Sequence, residues 1–213
     1  MFTGIIEEIG SIRKIQRGRV SGSLSIGAKE ILSDVKIGDS IAVNGICLTV
    51  TGREADSFTV DVMHETFDRS SAGSFQVGTK VNLERAMPAQ GRFGGHIVSG
   101  HIDGTGKIRK IRKDENAVWY EITAAPHVGR YIVEKGSVAI DGISLTVARA
   151  GRDSFSVSVI PHTAHETTMG LRREGDTVNI ENDCIGKYVE KLLQERRPDS
   201  QVTAELLLQN GFM

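Results

Sequence analysis

Two stretches of this chain alternate hydroxyl or thiol side chains with aliphatic ones. In Ile46-Cys47-Leu48-Thr49-Val50 the aliphatic residues share one face of a β-strand, and Cys47 and Thr49 share the other. Ile143-Ser144-Leu145-Thr146-Val147 repeats the arrangement with Ser144 and Thr146. An ionised thiol is a nucleophile, and small hydroxyls hydrogen-bond the polar edge of a ligand. The strand that follows points Thr59, Asp61 and Met63 outward, opposite Phe58, Val60 and Val62; Ser156, Ser158 and Ile160 hold the same places downstream. Taken singly, each is an ordinary residue of a solvated strand face, and Cys47 an inert, partly buried thiol. The pairing of the two patches is what marks them.

Histidine supplies the other chemistry. His96 and His101 sit near mid-chain. A histidine moves protons near neutral pH, and as often it is a structural hydrogen-bonder. His162-x-x-His165 has a spacing that suits a metal, but no cysteine or carboxylate cluster accompanies it, and no metal is expected. There is no G-x-S-x-G elbow and no C-x-x-C pair. Cys47 and Cys184 stand in unrelated contexts, so a reducing compartment is expected rather than a disulfide scaffold. Lys and Arg total 26 against 27 Asp and Glu, which offers nothing to nucleic acid or an anionic membrane. The start carries no signal peptide, and no run approaches the roughly 18 apolar residues of a membrane span, so a soluble, cytoplasmic protein is expected.

The elements that position these residues come from a duplication. A shift of 97 residues lays Ser40–Val50 on Ser137–Val147, and residues 39–86 match 136–183 at 18 of 48 positions without a gap. At a shift of 96, Gly4, Ile6, Gly10 and Ile12 fall on Gly100, Ile102, Gly106 and Ile108. Two domains follow, 1–90 and 97–185, with Gln90–Gly95 read as a flexible linker. Alternation predicts strands near Ile5–Ile15, Ile41–Val50, Ser57–Met63 and Lys80–Arg85 in the first copy, with turns at Asn44-Gly45 and Asp141-Gly142. Short helices are predicted over Ala28–Val35 and His127–Val133. Many short strands with glycine turns suggest a small closed barrel in each copy. The tail, 186–213, differs. Ile185, Tyr188, Val189, Leu192 and Leu193 make an amphipathic stripe that Pro198 ends, and a second helix through Leu206 and Leu207 stops at Asn210-Gly211. The stripe either packs on its own barrel or joins copies of the chain.

Longer motifs carry a resemblance. Met1-Phe2-Thr3-Gly4-Ile5, Asn44 to Val50, Gly95-His96 with Ser99-Gly100-His101-Ile102, and Lys135-Gly136 with Ile140 to Val147 are similar to the riboflavin synthase family, α-chain type, to about residue 196. The resemblance implies a mainly β fold of two tandem, similar six-stranded Greek-key barrels plus a C-terminal α-helix, assembled as a homotrimer. It implies a four-carbon transfer between two molecules of 6,7-dimethyl-8-ribityllumazine, giving riboflavin and 5-amino-6-ribitylaminouracil, with no added cofactor or metal. A lumazine synthase is a candidate partner on the same ground.

The resemblance also implies contacts. In the first barrel these are Gly4, Ile5 and Ile6, Ser40, Cys47, Leu48 and Thr49, and the run Asp61, Val62, Met63, His64, Glu65 and Thr66. In the second they are Gly100, His101 and Ile102, Lys135, Asp141, Ser144, Leu145 and Thr146, and the run Ile160, Pro161, His162, Thr163, Ala164 and His165. The catalytic candidates are His101 as a base relayed through Ser144 or Thr146, Cys47 or water as a nucleophile, and Ser40. The copies differ at Cys47 against Ser144 and at Ile5 against His101, which suits two identical molecules in different roles. One rival is a non-catalytic lumazine-binding antenna protein of the same fold. A flavin-binding reductase barrel is less suited, since it comes with a nucleotide-binding domain.

Overall fold

The computed structural model describes residues 1–18, 21–195 and 204–212. The first copy contains β1 (Glu8–Arg17), β2 (Ser21–Gly27), β3 (Ser40–Val43), β4 (Ile46–Arg53), β5 (Ser57–Met63), the short helix α1 (His64–Arg69) and β6 (Lys80–Arg85). The second contains β7 (Gly104–Asp114), β8 (Ala117–Thr123), α2 (Pro126–Gly129), β9 (Ser137–Ile140), β10 (Ile143–Ala150), β11 (Ser154–Val159), α3 (Pro161–Glu166) and β12 (Thr177–Asn182). Each copy closes into a six-stranded antiparallel barrel. The order is β1-β2-β5-β4-β3-β6 in one, and the same circuit, β7-β8-β11-β10-β9-β12, in the other. The expected fold class is what the chain adopts.

Alternation builds both cores. Ile46, Leu48 and Val50 point inward with Phe58, Val60 and Val62, while Thr49, Asp61 and Met63 are exposed. Ile143, Leu145 and Val147 do the same with Phe155, Val157 and Val159. Burying one such side chain contributes about 1.5–3 kcal/mol. The register slips at equivalent places, between Val50 and Gly52 and between Val147 and Arg149, and again between Ile12 and Lys14 and between Ile108 and Lys110. Such bulges bend a strand and help a small barrel close.

The structure changes several element expectations. The first strand begins at Glu8 instead of Ile5, because the residues before it leave the barrel. The run Ile41–Val50 divides into two strands at the turn expected at Asn44-Gly45. The helix expected over Ala28–Val35 is one 3-10 turn at Ile31–Ser33, and that over His127–Val133 is the single turn of α2. Strand β2 alternates only briefly, with Leu24 and Ile26 set among small residues, and helices α1 and α3 carried no periodic signal.

A buried polar spine joins the barrels. Asn44 and Asp141 both sit at φ 46 in hairpin turns. Gly45 and Gly142 meet back to back, so that a Cβ on Gly45 would lie 2.7 Å from the Gly142 nitrogen. The Asn82 amide donates to the Asp141 carbonyl (2.9 Å) and the Asn179 amide to the Asn44 carbonyl (2.8 Å). Residues 1–183 form one compact unit.

Residues 184–213 form a second unit. In it, α4 (Cys184–Glu195) exposes Ile185, Tyr188, Val189, Leu192 and Leu193, and α5 (Ala204–Gln209) ends as Gly211 turns to φ 74. The helix stop expected at Pro198 lies outside the described residues.

Candidate functional site

The segments preceding the two barrels cross. Phe2 and Val98 pair as an antiparallel bridge, Phe2 N–H to the Val98 carbonyl at 2.7 Å and Val98 N–H to the Phe2 carbonyl at 3.2 Å. Phe2, Val98, Ala42 and Ala139 bury one another at the crossing, with Cys47 packed alongside. Beyond it, each segment runs to the other barrel. The Gly4 carbonyl accepts the Ser144 N–H (2.8 Å), and the Gly100 carbonyl accepts the Cys47 N–H (2.9 Å). Ile6 packs on the core of the second barrel and Ile102 on the core of the first. Gly4 and Gly100 have φ of 78° and 83°, and an added Cβ would lie 2.6 Å from Ser144 Cβ or 2.5 Å from Cys47 Cβ. Only glycine fits either place.

This reverses the expected grouping. Gly4 and Ile6 reach the second barrel, and Gly100, His101 and Ile102 join Cys47 in the first; Ile5 instead lines a cavity of about 340 Å³ with Glu7, Asp34, Glu84 and Arg85 of its own barrel. The reason is topological, since a segment held across the crossing cannot fold back on its own barrel.

A cleft of about 200 Å³ lies at the Cys47 end. The first barrel supplies Ile46, Cys47, Met63, Glu65, Thr66, Arg69 and Ser70, and the crossing segment supplies Gly100, His101 and Ile102. Strand β4 presents Cys47 because its neighbours face the core, and α1 presents Glu65 and Thr66, with Arg69 paired to Glu65 at 3.1 Å. Thr49 and Asp61 are exposed on the barrel's outer face, and Ser40 pairs with Thr49 across β3 and β4; none of the three lines this cleft. His64 turns away to Asp68 (3.3 Å). The Leu48 and Val62 side chains are in the core, leaving only their backbone for a ligand.

The Ser144 end has the same plan and different chemistry. His96, 7% exposed, places Nδ1 2.7 Å from Ser144 Oγ, and its Nε2 is buried without a hydrogen-bond partner. Burial holds the ring's pKa below the ordinary histidine value, partly opposed by Asp183, so the ring stays neutral near pH 7. Ile5, Thr146, Ile160, Pro161, His162 and His165 are exposed. Thr163 accepts a hydrogen bond from Thr167, His165 pairs with Glu166 (2.7 Å), Ala164 packs on the core and Leu145 lies in it. Exposed Lys135 sits in a turn at φ 65, donating its N–H to Val147.

Three further expectations change. Asp141 is 1% exposed and bonded to Arg172 and the Asn179 N–H. Burial raises its pKa despite Arg172. It therefore belongs to the spine and cannot touch a ligand. His101 lines the Cys47 cleft and Ser144 lies at the other end of the crossing, so a relay between them is not built within the chain; His96 is the histidine at Ser144. The glycine-rich connection is exposed throughout residues 90–95, but its last residue is held close, since a Cβ on Gly95 would lie 2.0 Å from the Thr3 carbonyl. The adjacent glycines Gly94-Gly95 were the available signal for this close approach, and so for His96. Nothing in the sequence pattern singled out Arg69 or Ser70.

The lumazine binding domain family matches residues 3–86 and 99–183. Riboflavin synthase of Actinobacillus pleuropneumoniae is 52% identical over 215 residues, and that of Bacillus subtilis (strain 168) 48% over 215, each covering 100% of both chains. A crystal structure of LumP complexed with riboflavin has a TM-score of 0.80 at 26% identity, over 85% of this chain and 99% of that one. LumP complexed with 6,7-dimethyl-8-(1'-D-ribityl) lumazine has a TM-score of 0.77 at 24% identity, over the same shares.

Proposed function

The chain belongs to the riboflavin synthase family, built on two lumazine-binding domains, and from that premise we propose that the Cys47 cleft and the equivalent Ser144 end each take one molecule of 6,7-dimethyl-8-ribityllumazine. The reaction is the family's transfer of four carbons from one lumazine to the other. The acceptor becomes riboflavin and the donor leaves as 5-amino-6-ribitylaminouracil. The observation that carries the assignment of sites is the pair of equivalent strand positions, each met by the segment that precedes the other barrel, with unlike chemistry: Cys47 and His101 at a cleft in one, and Ser144 bonded to neutral His96 in the other.

The 7-methyl protons of the lumazine are acidic because the carbanion delocalises into the ring. His101, exposed at its cleft, is the base that removes one. The His96–Ser144 pair carries a second proton path, with the hydroxyl toward the ligand and the ring behind it. Cys47 or water adds to the other molecule. Thr66 and Thr163 occupy matching places on α1 and α3. Much of the acceleration comes from holding two rings face to face, where effective concentration is worth roughly 7–11 kcal/mol. Two clefts of one chain need not face each other, so a homotrimer joined through the α4 stripe completes the reading. The same reading puts the protein in the cytoplasm with a lumazine synthase as a candidate partner. Among the described residues no helix is long and apolar enough to cross a membrane.

The test is turnover. Protein mixed with 6,7-dimethyl-8-ribityllumazine yields one riboflavin, read by fluorescence, for every two lumazines consumed. Tight binding without riboflavin would instead identify an antenna protein. Sedimentation of a Val189→Asp/Leu192→Asp variant tests the trimer, which is expected to dissociate.

A further inference from the structure

Two glutamates outside the Cys47 cleft sit where each barrel closes. Glu84 lies near the end of β6 and Glu181 near the end of β12, one repeat apart, and they are 4% and 2% exposed. Glu84 accepts hydrogen bonds from the Thr3 N–H (2.7 Å), the Thr3 hydroxyl (3.0 Å) and the Gly4 N–H (3.0 and 3.2 Å to its two oxygens). Glu181 accepts from the Ser99 N–H (2.7 Å), the Ser99 hydroxyl (2.6 Å) and the Gly100 N–H (3.0 Å). A buried carboxylate is unfavourable unless donors surround it, and successive backbone N–H groups wrapped on one anion supply them. Burial still lifts the Glu84 pKa above the ordinary carboxyl value, against the hydrogen bonds that lower it.

What these carboxylates hold decides their consequence. Each grips the root of a crossing segment, and the same glycine that donates to the carboxylate offers its carbonyl to the opposite barrel. Gly4 reaches Ser144 and Gly100 reaches Cys47. We propose that Glu84 and Glu181 act crosswise as positioning residues: Glu181 in the second barrel sets Gly100 and His101 against Cys47, and Glu84 in the first sets Gly4 against Ser144. This rests on the reading that the two clefts hold the reacting molecules. Each barrel's last strand thereby controls the geometry at the other barrel's Cys47 or Ser144.

The test uses Glu84→Gln and Glu181→Gln in the full chain. Glutamine keeps the shape but turns an amide NH₂ toward donors that need an acceptor. Amide hydrogen exchange is followed at Cys47 and Ser144 in the ligand-free protein, and kcat and KM are measured for riboflavin formation. Glu181→Gln is expected to speed exchange at Cys47 roughly tenfold or more and leave Ser144 unchanged, and Glu84→Gln to do the reverse. Each is expected to lower kcat about 10- to 100-fold while KM moves little, because a small misplacement acts on the chemical step. Ser99→Ala and Thr3→Val remove one donor each, and are expected to show the same crosswise pattern with smaller amplitude if the glutamine variants fail to fold. Exchange that rises equally at both positions, or only in the barrel that carries the substitution, overturns the proposal. So does an unchanged kcat. A crosswise exchange response in the variants, together with a wild-type protein that makes no riboflavin, would keep the positioning and refute the reading of the two sites.

Discussion

Gly100→Ala tests the crossing in energetic terms. The new Cβ would lie 2.5 Å from Cys47 Cβ, 2.9 Å from Cys47 N and 3.0 Å from its Cα, at a φ of 83°. The left-handed backbone costs an alanine about 1–2 kcal/mol. Overpacking against a strand that cannot retreat adds about 1–3 kcal/mol. Gly38 is the control, with φ of 95° and nothing within 4 Å of an added Cβ, so Gly38→Ala carries the backbone cost alone. Urea unfolding should therefore show Gly100→Ala less stable than Gly38→Ala by about 1–3 kcal/mol. For a chain of this size that difference is about 2–12 °C in Tm. Equal destabilisation by the two substitutions would refute the close contact between the crossing segment and β4.

Other substitutions separate the roles. His101→Ala should lower kcat about 10²- to 10⁴-fold with KM near wild type, as for a general base, and an unchanged rate would remove the ring from the proton path. His96, held below its ordinary value of 6.5, contributes stability that is complete above that pH and is lost as pH falls through its lower folded value. The urea midpoint should drop between pH 7.5 and 5, and His96→Asn should flatten that part of the curve. Arg172→Ala strands the buried Asp141 carboxylate and should cost about 3–5 kcal/mol by urea unfolding. The double change Asp141→Asn with Arg172→Phe copies the Asn44 and Phe75 of the first repeat. It should cost less, and it should still turn over substrate if Asp141 is structural.

The barrels were legible because one face of each strand is aliphatic and because the pattern occurs twice; Cys47, Thr49, Ser144 and Thr146 point where alternation puts them. What alternation cannot express is which barrel a strand's preceding segment joins. Gly4 and Gly100 repeat at a shift of 96, and a repeat is equally satisfied by segments that stay or segments that exchange. Exchange depends on contacts between residues some 50 to 140 apart, such as Cys47 with Gly100 and Gly4 with Ser144. Asp141 misled for a related reason. Its turn dipeptide reads as a surface hairpin, and only packing against Asn44-Gly45 takes it out of water. The partnership of His96 with Ser144 was likewise hidden, because nothing local to either residue points to the other.

The central claim is that one chain builds two ligand sites, each finished by a segment from the other repeat. A crystal structure of the protein soaked with riboflavin measures this directly. The account predicts two bound molecules per chain, one against Cys47, Thr66 and His101, the other against Ser144, Thr163 and the Gly4–Ile5 peptide. A single bound molecule, or one that contacts Cys47 together with Gly4, would contradict it.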